Sequence, residues 1–275
     1  MKEPINRILP ESRWVAALVI PFLATAFVIL FLLPGQTERL FAWKIQPHMS
    51  AMMLGATYAG GIYFFAGVLR SRQWYRVKVG YLALLPFVTM LGIATILHWD
   101  RFTPNHISFF AWAGLYFTTP VVILIVWLRN RSQDPGLPEQ NDQVISRPVR
   151  FLLAAVGALT FIISLVLFIV PSVMIEVWPW TLTPLTARVM GAMFSLPGAV
   201  GLGVASDPRW SAAKLILQAQ SFSIVFILIA AIRSWQDFAV QEPGTWLFVG
   251  GLSLMLVGLV ASYVFMDTRN RSLQV

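Results

Sequence analysis

Three histidines are the residues of this chain best suited to metal chemistry: His48, His98 and His106. Neutral imidazole is a common ligand of zinc, copper and haem iron. All three fall at the outer ends of predicted helices, with Asp100 close behind His98, so they could converge on one metal ion or haem. None has the i, i+4 spacing of a helical chelate. Polar caps at helix ends are the competing interpretation, and no particular cofactor is indicated.

Two glutamines lie in a long apolar segment, where a polar side chain must find a partner. Lys214, Gln218 and Ser221 follow i, i+4, i+7 spacing and share one helical face, whereas Gln220 points elsewhere. An unpaired amide in hydrocarbon is costly, so we expect both glutamines to face protein or water. They are candidates for lining a substrate site, and an interhelical hydrogen bond is the alternative.

Arg188 is the only charged residue clearly inside a predicted span, one turn from its outer end. An arginine at that depth commonly extends to the headgroups. Pairing with Glu176 and binding of an anionic substrate are the other two hypotheses. No Asp or Glu falls in mid-span, so the carboxylate relay of an ion-driven pump is not indicated. Familiar nucleotide-binding and hydrolase motifs are not found either, and the sequence does not favour an enzyme.

Two helices carry helix-weakening residues at matched depths. Gly60 and Gly61 in the second apolar segment correspond to Pro197 and Gly198 in the sixth. Matched breaks in two halves of a chain point to a transporter binding site. Close packing through small residues spaced four apart is the alternative. The two interpretations are compatible, and the second and sixth helices would then meet at the pseudo-two-fold axis between the halves.

These residues are carried by eight apolar segments in a chain of 275 residues that is 57% hydrophobic and 12% charged. Each segment has about 18 to 22 residues, enough to cross ~30 Å of hydrocarbon. The sequence therefore predicts an all-α membrane protein with eight transmembrane helices. They are predicted at Trp14–Leu33, Met49–Leu69, Val77–Leu97, Ile107–Leu128, Phe151–Val170, Leu185–Ala205, Leu215–Ile232 and Trp246–Met266.

The eight segments are predicted to form two parallel four-helix repeats (4+4). Phe31 and Trp43 recur as Phe168 and Trp180 at an offset of 137, and a later group recurs at 136. An even number of helices per half gives both halves the same orientation. The predicted divisions are residues 1–132, a cytoplasmic linker at 133–148 and residues 149–275. We expect the polar linker to be a flexible tether. The recurring tryptophans are expected to anchor the bundle at the membrane interfaces.

The distribution of basic residues predicts the orientation. Fifteen of the twenty lysines and arginines lie on one side of the predicted membrane, and five lie on the other. Because Lys and Arg accumulate in cytoplasmic loops, both termini are expected in the cytoplasm. The compact loops favour a prokaryotic plasma membrane. Insertion explains the net charge of +8, so nucleic acid is not expected as a partner, whereas the lipid bilayer and other membrane subunits are.

Three functional hypotheses remain. The first is a non-enzymatic membrane component that binds a lipid, a pigment or a partner subunit. The second is a facilitative transporter or channel with its site between the second and sixth helices. The third is a metal or haem protein that uses the outer histidines.

Overall fold

The computed structural model describes residues 6–136 and 142–272, with side chains through Met266. Within these residues the protein is helical, and eight helices are long and apolar enough to cross a membrane. This confirms the predicted number of spans and indicates a multi-pass membrane protein. We label the helices α1 (Pro10–Phe27), α2 (His48–Arg70), α3 (Lys78–Leu97), α4 (Ile107–Asn130), α5 (Arg147–Ile169), α6 (Pro184–Ser206), α7 (Trp210–Arg233) and α8 (Pro243–Ser272).

Short helical turns connect the long helices. α1 continues as a π-helical turn over Val28–Leu32, and one-turn 3₁₀ segments follow α2, α3, α4 and α7. The start of α7 differs most from the prediction, because it lies five residues before Leu215. Asp142 accepts a hydrogen bond from the backbone N–H of Ser211 in the first turn at 3.1 Å. This contact, between residues distant in the chain, satisfies a helix-end donor that hydropathy alone does not consider.

α2 and α6 are continuous helices, so neither has the break that the transporter interpretation of the paired glycines and the proline requires. Close packing replaces it. A Cβ on Gly60 would lie 1.8 Å from Oγ of Ser223 on α7. A Cβ on Gly198 would lie 2.9 Å from the backbone of Phe161 on α5. Both glycines therefore let a neighbouring helix approach, as small residues do in membrane bundles.

The helices pack in a crossed arrangement. α2 packs mainly against α1 and α7, whereas α6 packs mainly against α5 and α3. α4 lies against α3, and α8 lies against α7. α2 and α6 touch each other only slightly. The two helices predicted to meet at the centre thus face each other with a space between them.

Four of the recurring tryptophans are in the core, so the expectation that they anchor at the interface is wrong for them. Trp43, Trp74, Trp180 and Trp210 are each less than 5% exposed. Trp43 packs on Phe102 with ring centroids 5.0 Å apart. An amphipathic indole fits an interface equally well on sequence grounds, and only tertiary packing buries these four.

The described parts of the linker are attached to the bundle, which corrects the expectation of a flexible tether. Asp134 accepts from Lys78 of α3 at 2.6 Å and pairs with Arg209 at 2.8 Å. Arg209 also pairs with Asp207 at 2.6 Å. After residues 137–141, the backbone N–H of Ile145 donates to the Pro208 carbonyl at 2.8 Å. The linker therefore joins the start of α3 to the connection between α6 and α7.

This charge network is buried, and its hydrogen bonds determine how it titrates. Burial alone would raise the pKa of Asp134, but hydrogen bonds from Arg209 and Lys78 outweigh it and hold that pKa well below its usual range. The same opposition of burial and hydrogen bonding lowers the pKa of Asp207 to about 2. Both carboxylates are ionised at neutral pH, so the network holds two negative and two positive charges.

Candidate functional site

A cavity of about 160 Å³ lies inside the bundle between α2 and α6. Every long helix except α5 contributes residues to its wall. Most of the wall consists of aliphatic, aromatic and methionine side chains, and none of its described residues is charged. We call this space the central cavity.

Two tyrosine hydroxyls form the clearest polar group in its wall. Tyr58 on α2 and Tyr116 on α4 are 3% and 2% exposed, and their hydroxyl oxygens lie 2.7 Å apart. In such a pair one hydroxyl donates to the other, so one of the two hydrogens stays available for a further acceptor. A buried donor without an acceptor costs about 1–3 kcal/mol. The pair is therefore suited to donate to a ligand oxygen.

Gln220 supplies a second polar group from α7. Its Nε2 lies 3.9 Å from Sδ of Met255 on α8. Its buried Oε1 has no hydrogen-bond partner among the described residues. An amide oxygen is an acceptor, so this side of the wall is complementary to an N–H or O–H group.

The cavity brings together four of the seven residues predicted for a substrate or packing site. Gly60, Gly61, Pro197 and Gln220 line it. Pro197 has no N–H, so the Met193 carbonyl one turn earlier lacks its usual helical donor. A Cβ on Gly61 would lie 2.9 Å from Cδ1 of Leu23, so glycine also lets α1 close this side.

The other three predicted residues lie elsewhere. Gly198 packs against α5. Gln218 lines a separate polar pocket at the end of α2. Nη1 of Arg188 donates to Nε2 of His98 at 2.8 Å, which is neither of the partners expected from sequence. Since a guanidinium only donates, the neutral His98 ring carries its proton on Nδ1.

The three histidines do not converge. His48 packs beside Gly35, His98 binds Arg188, and Nδ1 of His106 accepts from the N–H of Ser108 in its own helix. In residues 6–136 and 142–266, no group of three His, Asp or Glu side chains is placed to hold a metal ion. The structure therefore does not bring together the residues of the metal hypothesis.

The setting of His98 disfavours its protonation. Burial lowers its pKa, and the positive charge of Arg188 lowers it further, while Asp100 partly opposes this effect. Neutral His98 is consequently the form that accepts the hydrogen bond from Arg188.

The tyrosine pair is the main part of the site that the sequence did not indicate. Tyr58 and Tyr116 are 58 residues apart on different helices. A single tyrosine in an apolar span is typical of ordinary aromatic packing and does not predict a polar site. The only available signal is that each hydroxyl is buried in mid-span and must therefore find a partner.

No family model, curated protein or solved structure matches this chain. The assignment of the site consequently depends on its own geometry.

Proposed function

We propose that this protein is a non-enzymatic membrane component that holds one apolar small molecule, such as a pigment or part of a lipid, in the central cavity. The observation that carries the proposal is an uncharged, apolar space inside the bundle with a spare hydroxyl donor in its wall. An apolar cavity of ~150 Å³ stays dry and accepts a molecule the size of benzene. The central cavity is of that size.

The polar groups define the chemistry of the proposed ligand. The Tyr58–Tyr116 pair is complementary to one acceptor, such as a carbonyl or ether oxygen. The remaining wall offers dispersion contacts with aromatic rings and methionines, among them Phe64, Met53 and Met193. The ligand would therefore be a largely hydrocarbon molecule with a polar atom at one position.

Transport of an apolar molecule is the second candidate. It is favoured by the position of the cavity between α2 and α6, and by the unpaired Oε1 of Gln220 in its wall. Under this proposal Gln220→Leu would alter flux of an apolar substrate, whereas Gln218→Leu would not, because Gln218 lies outside the cavity. The uncharged wall does not favour an ion or a polar solute as substrate.

The proposed architecture is two parallel four-helix repeats, and pairs of equivalent contacts support it. Gly67 of α2 packs on Leu215 of α7, and Gly203 of α6 packs on Val79 of α3. The four residues are related by the offset of 136, with the halves exchanged. A two-fold axis along the membrane normal exchanges contacts in this way.

Backbone hydrogen bonds and rings recur in the same manner. Thr103 N–H donates to the Ala42 carbonyl at 2.9 Å, and Ala239 N–H donates to the Pro179 carbonyl at 2.8 Å. The Trp180–Phe238 centroid distance of 5.1 Å matches the 5.0 Å of Trp43–Phe102.

The bias of basic residues towards one side of the membrane supports an orientation. We further propose that the protein lies in a prokaryotic plasma membrane with both termini in the cytoplasm. The bilayer and other membrane subunits are the proposed partners.

A matched pair of variants tests the ligand proposal. Val200→Phe adds a ring to the cavity wall, whereas Leu202→Phe adds the same ring to a 38% exposed position on α6. Each protein is purified in mild detergent, extracted with organic solvent and analysed by mass spectrometry. We expect the wild type and Leu202→Phe to retain the same apolar molecule and Val200→Phe to lose it. Equal retention in both variants, with both folded, would contradict the proposal.

A further inference from the structure

A second pocket has a polar, basic wall, in contrast to the apolar wall of the central cavity. It has a volume of about 570 Å³ and lies between the end of α2, the 71–76 connection and the early turns of α7. Its wall includes Arg70, Arg72, Arg76 and Gln218. We call it the basic pocket. None of its described wall residues is acidic.

Neighbouring cations are already engaged in ion pairs, which distinguishes them from Arg70 and Arg72 in the pocket. Lys78 and Arg209 are paired with Asp134 and Asp207. By contrast, Arg70 and Arg72 are exposed, and no ion pair found in the described part of the chain includes either of them. These two guanidinium groups are therefore accessible to a ligand.

Further contacts shape the pocket around these charges. The Tyr75 hydroxyl accepts from Nε of Arg76 at 3.2 Å, which holds that side chain in place. Arg13 donates to the Ser71 carbonyl at 2.8 Å and fixes the connection that carries Arg72. The C-terminal dipole of α2 opposes an anion with only about half a unit charge, against the full charges of Arg70 and Arg72. The net field in the pocket is positive.

The position of the pocket places it at a membrane boundary. Arg70 is the last residue of α2, and Lys78 is the first of α3. Tyr63, Ala66 and Leu215 form a less polar wall on the side of the spans. Guanidinium groups bind phosphate oxygens through paired hydrogen bonds. An anion with a polar head and an adjoining apolar part fits both walls.

We propose that the basic pocket binds a phosphate group, either of an anionic phospholipid headgroup or of a soluble phosphate compound. Arg70 and Arg72 would hold the phosphate, and the amide of Gln218 would donate a further hydrogen bond. This site is independent of the ligand proposed for the central cavity.

The test compares two double variants with the same loss of charge. Arg70→Gln/Arg72→Gln removes the two accessible charges of the pocket. Arg131→Gln/Arg147→Gln removes two exposed charges near the same end of the bundle and outside the pocket. Thermal unfolding of the full chain is followed in detergent with inorganic phosphate, and in bilayer discs of phosphatidylcholine with and without phosphatidylglycerol.

Stabilisation by phosphatidylglycerol alone would identify the lipid headgroup, and stabilisation by inorganic phosphate would identify a soluble ligand. In either case we expect the pocket variant to bind at least about tenfold more weakly, because charge-assisted hydrogen bonds are lost, and the control variant to match the wild type. The proposal is overturned if neither probe stabilises the wild type, or if both double variants lose the effect equally.

Discussion

The hydroxyl oxygens of Tyr58 and Tyr116 lie 2.7 Å apart in the wall of an otherwise apolar cavity. The pair joins α2 to α4 and retains one hydrogen for a further acceptor. This arrangement gives the central cavity a defined polar point, and it links the packing of the bundle to the class of ligand proposed for it.

Removing either hydroxyl is expected to weaken retention of the cavity ligand. In Tyr58→Phe or Tyr116→Phe the remaining hydroxyl loses its fixed orientation, and one neutral hydrogen bond corresponds to about a three- to tenfold change in affinity. The amount of copurifying apolar molecule per chain is measured by mass spectrometry. Tyr81→Phe is the control, because the Tyr81 hydroxyl donates to the Ser12 carbonyl at 2.8 Å and lies outside the cavity wall. Equal retention in all three variants would remove the tyrosine pair from the site.

The proposed repeat predicts where a hydrogen bond can be added. Nε1 of Trp180 donates to Oγ of Ser50 at 2.9 Å, whereas the buried Nε1 of Trp43 has no partner among the described residues. The residue equivalent to Ser50 is Ala187, at the offset of 137. Ala187→Ser should therefore supply the missing acceptor and stabilise the protein by about 0.5–1.5 kcal/mol.

Unfolding in denaturant measures this effect, with Ser50→Ala as the inverse change. We expect Ser50→Ala to destabilise the protein by about 1–3 kcal/mol, because it leaves the Trp180 N–H unpaired. If Ala187→Ser is as destabilising as Ser50→Ala, the equivalence of the two positions is wrong.

Arg209 is expected to be the most sensitive member of the charge network. Its side chain is 4% exposed and pairs with both Asp134 and Asp207. Arg209→Gln leaves two buried carboxylates with Lys78 alone, so we expect a loss of about 3–5 kcal/mol in the free energy of unfolding. Arg147→Gln, at an exposed position, should change it by less than about 0.5 kcal/mol.

The same network predicts an acid-sensitive stability. Because the pKa of Asp207 is lowered to about 2 in the folded protein, its contribution is complete above the ordinary Asp pKa. It is lost as the pH falls from about 4 towards 2. Arg209→Gln should flatten this part of the stability profile. An unchanged profile would mean that other carboxylates control acid unfolding.

His98 predicts a second, milder pH dependence. Its pKa is lowered first by burial and then by Arg188, so the folded state resists protonation, and stability should fall as the pH drops below about 6.5. The midpoint of thermal unfolding is compared between about pH 7 and pH 5 for wild type and His98→Gln. We expect the variant to lose the dependence. The His106 ring contacts Ser108 at the start of its own helix, so His106→Gln should retain the pH dependence. If His106→Gln lost the pH dependence and His98→Gln kept it, His98 would not be its source.

Hydropathy and length predict the eight spans because the requirement for an apolar segment is local. The same reasoning misplaces the start of α7, because Asp142 contacts its first turn from the linker. It also treats the linker as flexible, since it does not detect contacts between distant residues. Asp134 pairs with Lys78 and Arg209, which lie 56 and 75 positions away in the chain. Contacts of this kind depend on the tertiary fold and leave no local pattern.

The sequence indicates only some of the residues that line the central cavity. Gly60, Gly61 and Pro197 stand out because glycine and proline are unusual in the middle of a helix, and Gln220 because an amide in a span needs a partner. Tyr58 and Tyr116 carry only the weaker signal of a hydroxyl in mid-span that needs a partner. The histidines predicted a metal site because imidazole suits a metal ion. In the structure, their separate contacts with Gly35, Arg188 and Ser108 keep them apart.

An experimental density map of the protein, purified from its native membrane into bilayer discs, would show whether the central cavity holds a ligand. We expect non-protein density in the cavity between α2 and α6, with one polar atom about 3 Å from the hydroxyl of Tyr58 or Tyr116. Val200→Phe should remove that density and leave the helices in place. A continuous file of water through the cavity, or an empty and collapsed interior in the wild type, would contradict ligand binding in the central cavity.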